Sequence, residues 1–229
     1  MALTGSRQVG WHPCLHLKVM PLQNRVTPMG DIVAAPERGF FTGNRGIIHD
    51  ARTRTLLKRR WASRTWLICA LRWRDIRRSV MGAGSWTELF FLDEATALGA
   101  GHRPCFLCRR VAAQAFQMGF PMNGMATPKA HDIDAALHME RLDSRRKRLH
   151  ILTSPAAELP DGAMVLQDGV PHLILEGLAH PWSLRGYGSP VAPLQCAQLI
   201  TPPSTVAVLR AGYQPQIHAS AFAQRNVGA

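Results

Sequence analysis

Two thiols three positions apart, Cys105 and Cys108, constrain this chain more than any other feature. They form its only Cys-x-x-Cys, and two thiolates at that spacing reach one tetrahedral metal ion. The residues before them read as a scaffold. Leu89 to Leu92 is an apolar run of strand length. Asp93 to Ala100 is rich in strong helix formers, and Gly101 is a C-terminal stop. Pro104 holds the backbone extended just before Cys105. The expectation is a strand, a short helix, then a tight knuckle carrying two thiols. Zinc is the ion expected there, the default for a cysteine-rich tetrahedral site. A redox pair is the rival reading. Such a pair usually opens a helix after a strand, whereas this one follows a helix.

A structural zinc site needs further ligands. Cys69 lies in the apolar run Trp66 to Leu71, expected to be a buried strand, and reads either as a third thiolate or as a small core residue. His49 and His102 compete for the fourth position, with His49 preferred. Cys14, between His12 and His16, has no partner knuckle.

The block from Phe90 to Arg109 resembles the second half of the metal-binding domain of Ada-type methylphosphotriester DNA repair proteins. Phe90, Phe91, Glu94, Ala95, Ala100, Gly101, Arg103, Pro104, Cys105, Cys108 and Arg109 carry the match. His102 stands where that pattern has an aromatic residue, which suits stacking or a surface role. A wider string is similar to a bacterial family with no assigned function. It runs through Arg25 to Pro28, Gly43 to Gly46, the same block, and Leu199 to Thr205. The Ada resemblance implies zinc held by thiolates, one of which accepts a methyl group. Only Cys105 and Cys108 carry over residue by residue. The first cysteine pair of that family is missing here, and Cys69 alone stands near it as a methyl acceptor.

Charge points the same way. The chain has 27 Lys and Arg against 15 Asp and Glu, a net +12. From Arg52 to Arg110 the count is 13 against 4, so most of the excess surrounds the thiols. A basic surface beside a metal knuckle favours DNA or RNA as partner. Arg72, Arg74, Arg77, Arg78, Arg103, Arg109 and Arg110 are the candidate phosphate contacts. Five cysteines and no apolar leader argue for the cytoplasm rather than a disulfide framework. No run approaches the ~20 apolar residues of a membrane span.

The fold expected is α+β: an Ada-like zinc-knuckle region followed by a small mixed β-sheet region. Residues 1–19 read as a disordered extension, 20–118 as the zinc-binding basic region, 119–220 as a helix plus small sheet, and 221–229 as a tail. Gly43-Asn44-Arg45-Gly46 reads as a hairpin turn within Gly39 to His49. Val111 to Met118, Asp132 to His150 and Thr205 to Ala211 read as helices. Ala163 to Gln167 and Val170 to Leu175 read as a hairpin around Asp168-Gly169. Leu194 to Ile200 reads as a strand. Asp93 and Glu94, adjacent on a helix, point apart and read as solvent-facing and helix-capping.

The function expected is zinc-stabilised nucleic-acid binding. One alternative is an enzyme, either an alkyl acceptor or a treble-clef nuclease using His49-Asp50, His131-Asp132 and His138. The other is a zinc-stabilised protein-interaction module. The sequence carries no Gly-x-Gly-x-x-Gly, no Walker loop and no His-Glu-x-x-His.

Overall fold

The computed structural model describes residues 20–74, 79–121, 127–193 and 195–223. The chain opens with β1 (Gln23–Val26) and β2 (Ile32–Ala34), an antiparallel pair. Then come β3 (Phe41–Asn44), a two-residue ladder of β4 (His49–Asp50) with β5 (Thr55–Leu56), β6 (Leu67–Ala70) and β7 (Leu89–Phe91). After β7 follow α1 (Glu94–Gly99), β8 (Arg103–Pro104), α2 (Arg110–Met118) and α3 (Ala130–Arg141). A tight turn pairs β9 (Leu142–Asp143) with β10 (Arg146–Lys147). The rest is β11 (Met164–Gln167), β12 (Val170–Leu175), β13 (Leu178–Ser183), β14 (Gly186–Tyr187), β15 (Gln198–Leu199) and α4 (Pro203–Arg210).

Besides the two short ladders, two larger sheets form among the described residues, and the class is α+β. The first runs β2-β1-β7-β3-β6-β8, with β1·β7 and β6·β8 parallel and its other pairs antiparallel. The second runs β14-β13-β12-β11-β15 and is antiparallel throughout. Its hairpins turn on Asp168-Gly169 and Glu176-Gly177, with φ of 51° and 76°, and 51° and 75°. Two consecutive left-handed residues twist a turn in the same sense as the flanking strands, which is why a Gly sits second in each. One apolar core takes Ile68, Leu89 and Phe91 from the first sheet and Val165 and Ile174 from the second. Leu98, Phe116, Leu137 and Val208 join it from the four helices. The core therefore spans the Gly119 to Pro128 break. Among the described residues, no helix is long and apolar enough to cross a membrane.

Three expectations fail here. Gly43-Asn44-Arg45-Gly46 does not turn a hairpin, because β3 pairs instead with β6 and β7, strands far along the chain. A Cβ on Gly43 would fall 2.0 Å from the Leu67 carbonyl oxygen, so the glycine serves close strand approach. The helix expected to reach His150 ends at Arg141. Ser144 takes a φ of 54°, turning β9 back on β10. Asp93 and Glu94 are not solvent-facing, since each is 1% exposed. All six residues of α1 are buried, a length too short to hold as a helix alone. It is held by tertiary contacts and by Asp93, whose Oδ1 accepts from the Thr96 amide at 2.8 Å.

Candidate metal centre

The knuckle is placed by the edge of the first sheet. In the parallel pairing of β6 with β8, Leu67 faces Arg103 and Ile68 faces Pro104. One residue further along, Cys69 and Cys105 come together. The Cys105 amide donates to the Ile68 carbonyl at 3.0 Å, continuing the ladder past Pro104. The chain then turns through Phe106, Leu107 and Cys108 into α2, and the Arg109 amide closes that turn on the Cys105 carbonyl at 2.9 Å. The turn brings Cys108 back towards the same two residues. The three Sγ atoms of Cys69, Cys105 and Cys108 all lie within 4.8 Å of one another. Thiolates on a tetrahedral zinc stand about 3.8 Å apart, given a Zn–S bond of about 2.3 Å. The trio therefore fits a thiophilic ion with small side-chain movements.

Its surroundings suit thiolates. Cys69 and Cys105 are 7% and 8% exposed, and Cys108 is half-buried. The Leu107 amide points at Cys105 Sγ, 3.4 Å away, and the Ala70 amide donates to Cys108. Amide dipoles aimed at sulfur favour its anionic form. Hydrogen bonds from the Cys108 and Cys69 thiols hold Cys105 well below the usual thiol range. The hydrogen bond to Cys105 pushes Cys69 well above it. Thiolates bound to one cation would replace these sulfur–sulfur hydrogen bonds.

Two buried ion pairs brace the knuckle from either side. Before it, Arg103 forks onto Asp134 of α3 at 2.7 and 2.8 Å. After it, Arg109 forks onto Glu94 of α1 at 2.7 and 2.9 Å. Burial alone would lower the Arg109 pKa, but the Glu94 carboxylate raises it. Bidentate pairing fixes both arginines in direction as well as position.

The sequence-derived residues therefore separate into groups. Cys69, Cys105 and Cys108 converge. His49 lies outside the trio, its Nδ1 2.6 Å from Thr87 Oγ1 and its Nε2 3.2 Å from the Gly82 carbonyl. His102 is fully buried against Trp66 and Phe91, with ring centroids at 5.0 and 4.7 Å, so its role is stacking rather than ligation or surface contact. Arg103 and Arg109 are spent on internal carboxylates. Arg72, Arg74 and Arg110 are exposed, and Arg77 and Arg78 lie outside the described residues, as does Cys14. Beyond the thiols, no group of three or more His, Cys, Asp and Glu gathers as tightly among the described residues. His131 pairs only with its neighbour Asp132, at 3.2 Å.

A cavity of about 470 Å³ adjoins the thiols. Trp73, Trp86, Phe90 and Leu107 give it an apolar wall, and all three cysteines contribute to its lining. Sequence reading missed it, because its walls come from β3, β6, β7, the loop between β6 and β7, and the knuckle, which only the fold brings together. No protein-family model, curated protein or solved structure matches the chain.

Proposed function

We propose that this is a zinc-thiolate protein that binds nucleic acid, with the metal fixing the knuckle beside a basic surface. The convergence of Cys69, Cys105 and Cys108 is the observation that carries the metal half of this reading. Zinc bound there would tie the edge of the first sheet to the start of α2 and contribute directly to folding free energy. Support for the polyanion half comes from the net +12 and from where the unspent arginines fall. Arg72 and Arg74 follow Cys69 by three and five residues, Arg110 follows Cys108 by two, and all three are exposed. The Arg74 guanidinium lies 4.3 Å from the Trp73 ring centroid, an arrangement that keeps its charge available at the surface. The local resemblance to the Ada metal-binding domain agrees with this reading.

The test is oligonucleotide binding by fluorescence anisotropy across a salt series. Phosphate contacts make affinity fall steeply with salt. Replacing Arg72, Arg74 and Arg110 by Ala should lower the slope by about one per lost contact. No binding to single-stranded or duplex oligonucleotides at low salt would overturn the nucleic-acid half.

A second reading is favoured by the cavity beside the thiols. Catalytic zinc sites keep one coordination position for substrate, and three protein ligands facing a cavity have that form. Zinc would supply there a deprotonated, nucleophilic thiolate. Cys69 sulfur would take a methyl group from a methylphosphotriester, forming a carbon–sulfur bond as the carbon–oxygen bond breaks and the phosphodiester leaves. Intact-protein mass spectrometry after exposure to methylated DNA reads this out. A mass gain of one methyl that survives in Cys69→Ser would remove Cys69 as acceptor.

A further inference from the structure

A second cleft, of about 510 Å³, shares no lining residue with the thiol cavity. Its lining includes Arg45, Arg60, Arg141, Arg145, Arg146 and Lys147, against one carboxylate, that of Asp31. Such an imbalance on an open surface would mean little. Here two of the cations are deep: Arg45 is 2% exposed and Arg141 1%. Both guanidinium carbons sit 3.9 Å from the ring centroid of Trp66, which also lines the cleft. The two charges are thus held against one ring, and burial lowers the proton affinity of both. Burial first, then Arg45, holds Arg141 down at about 9, and burial holds Arg45 down at about 9 although the Asp31 carboxylate pulls the other way. Lys147, half-buried, is pulled down to about 7 by burial, then by Arg141 and Arg45.

Their partners supply hydrogen bonds without negative charge. Arg45 donates to the Gly30 carbonyl at 2.9 Å and to His102 Nε2 at 3.2 Å. Arg141 donates to the Gly101 and Arg64 carbonyls at 2.9 and 2.6 Å, and Lys147 donates to the Gly99 carbonyl. Arg45 Nη2 and Arg141 Nε are buried and find no acceptor. The carboxylate nearest Arg141 in its electrostatics, Asp134, is already forked by Arg103. Buried charge is ordinarily paired, and buried N–H groups are ordinarily bonded. This cluster breaks both rules at one place, and that place opens to solvent through a rim of further arginines. An anion with several acceptor oxygens satisfies both. Trp61, half-buried at the wall and 6.2 Å from Trp66 centroid to centroid, adds an aromatic face where a base can stack.

We propose that this cleft binds a nucleotide, with its phosphate against Arg45 and Arg141 and its base against Trp61. The volume suits one nucleotide unit. The proposal deepens the nucleic-acid reading by naming a phosphate site, and rests on that reading only where the nucleotide belongs to a strand.

The test is calorimetric titration of the full chain with AMP and, separately, with a 5′-phosphorylated oligothymidine, for wild type, Trp61→Ala and the exposed rim variant Arg145→Ala/Arg146→Ala. Wild type should bind at least one of the two probes, and each variant should bind that probe about tenfold or more weakly, the loss expected for base stacking at Trp61 and for charge-assisted contacts at the rim. AMP binding identifies a free nucleotide as sufficient. Oligothymidine binding alone identifies a nucleotide within a strand. If AMP binds and no oligonucleotide does, the cleft stands and the nucleic-acid reading falls. If oligonucleotides bind equally well to wild type and both variants, the cleft proposal falls and the nucleic-acid reading stands. Binding of neither probe overturns the cleft proposal.

Discussion

Two regions of the molecule bury charge and treat it oppositely. Around α1, every buried carboxylate oxygen has partners. Asp93 caps the helix with Oδ1, while Oδ2 accepts from the Tyr187 hydroxyl at 2.8 Å and the His218 amide at 3.0 Å. Glu94 takes both arms of Arg109, the Tyr213 hydroxyl and the Gln216 amide. These acids pull the C-terminal segment and the start of α2 onto one short helix. Around Trp66, Arg45, Arg141 and Lys147 have carbonyl partners and almost no counter-charge. The first arrangement is complete without a ligand and reads as architecture. The second is incomplete without an anion and reads as a site. Burial alone does not separate them; the presence of a paired opposite charge does.

The largest expected effect is at the complete node. Glu94→Ala leaves Arg109 buried without its carboxylate and should cost about 3–5 kcal/mol of stability, read from urea unfolding. Asp134→Ala strands Arg103 in the same way and should fall in the same range. At the incomplete cluster the expectation reverses. Arg45→Met removes a charge that forms no ion pair, so its cost should stay below about 1.5 kcal/mol, the lost contacts to the Gly30 carbonyl and His102 and the distant pull of Asp31 being offset by relieved desolvation. A loss at Arg45 as large as that at Glu94 would erase the distinction. The smallest effect is a pH slope. The Lys147 pKa is lowered to about 7 from 10.5 on folding. Above pH 7 the unfolded chain therefore holds a proton there that the folded chain has released, and this residue makes stability rise with pH between about 7 and 9. Thermal unfolding across that window should show a flatter profile for Lys147→Met than for wild type. Identical profiles would deny the lowered Lys147 pKa, which burial sets first and Arg141 and Arg45 deepen.

The chain disclosed these two regions unequally. Cys105-x-x-Cys108 was legible because its chemistry depends on local spacing, and the Asp168-Gly169 hairpin because two left-handed residues need that dipeptide type. Cys69 was ambiguous because its role follows from a parallel pairing of β6 with β8, which no local pattern encodes. Arg103 and Arg109 looked like phosphate contacts because their carboxylates, Asp134 and Glu94, are 31 and 15 residues away. Asp93 and Glu94 read as exposed because adjacent positions on a surface helix point apart, whereas this helix is buried all round. Arg45 was hidden inside a turn signal. Its neighbour glycines suggested a hairpin, whereas β3 is central in its sheet and delivers the arginine into the core.

The most direct test of the metal centre is elemental analysis of the purified protein beside Cys69→Ser, Cys105→Ser and Cys196→Ser. Cys196 is exposed and outside the thiol trio, so it serves as the control. The account predicts about one zinc per chain in wild type and in Cys196→Ser, and marked loss in the other two, since each removes a thiolate ligand. No metal in wild type, or full retention in both Cys69→Ser and Cys105→Ser, would contradict it.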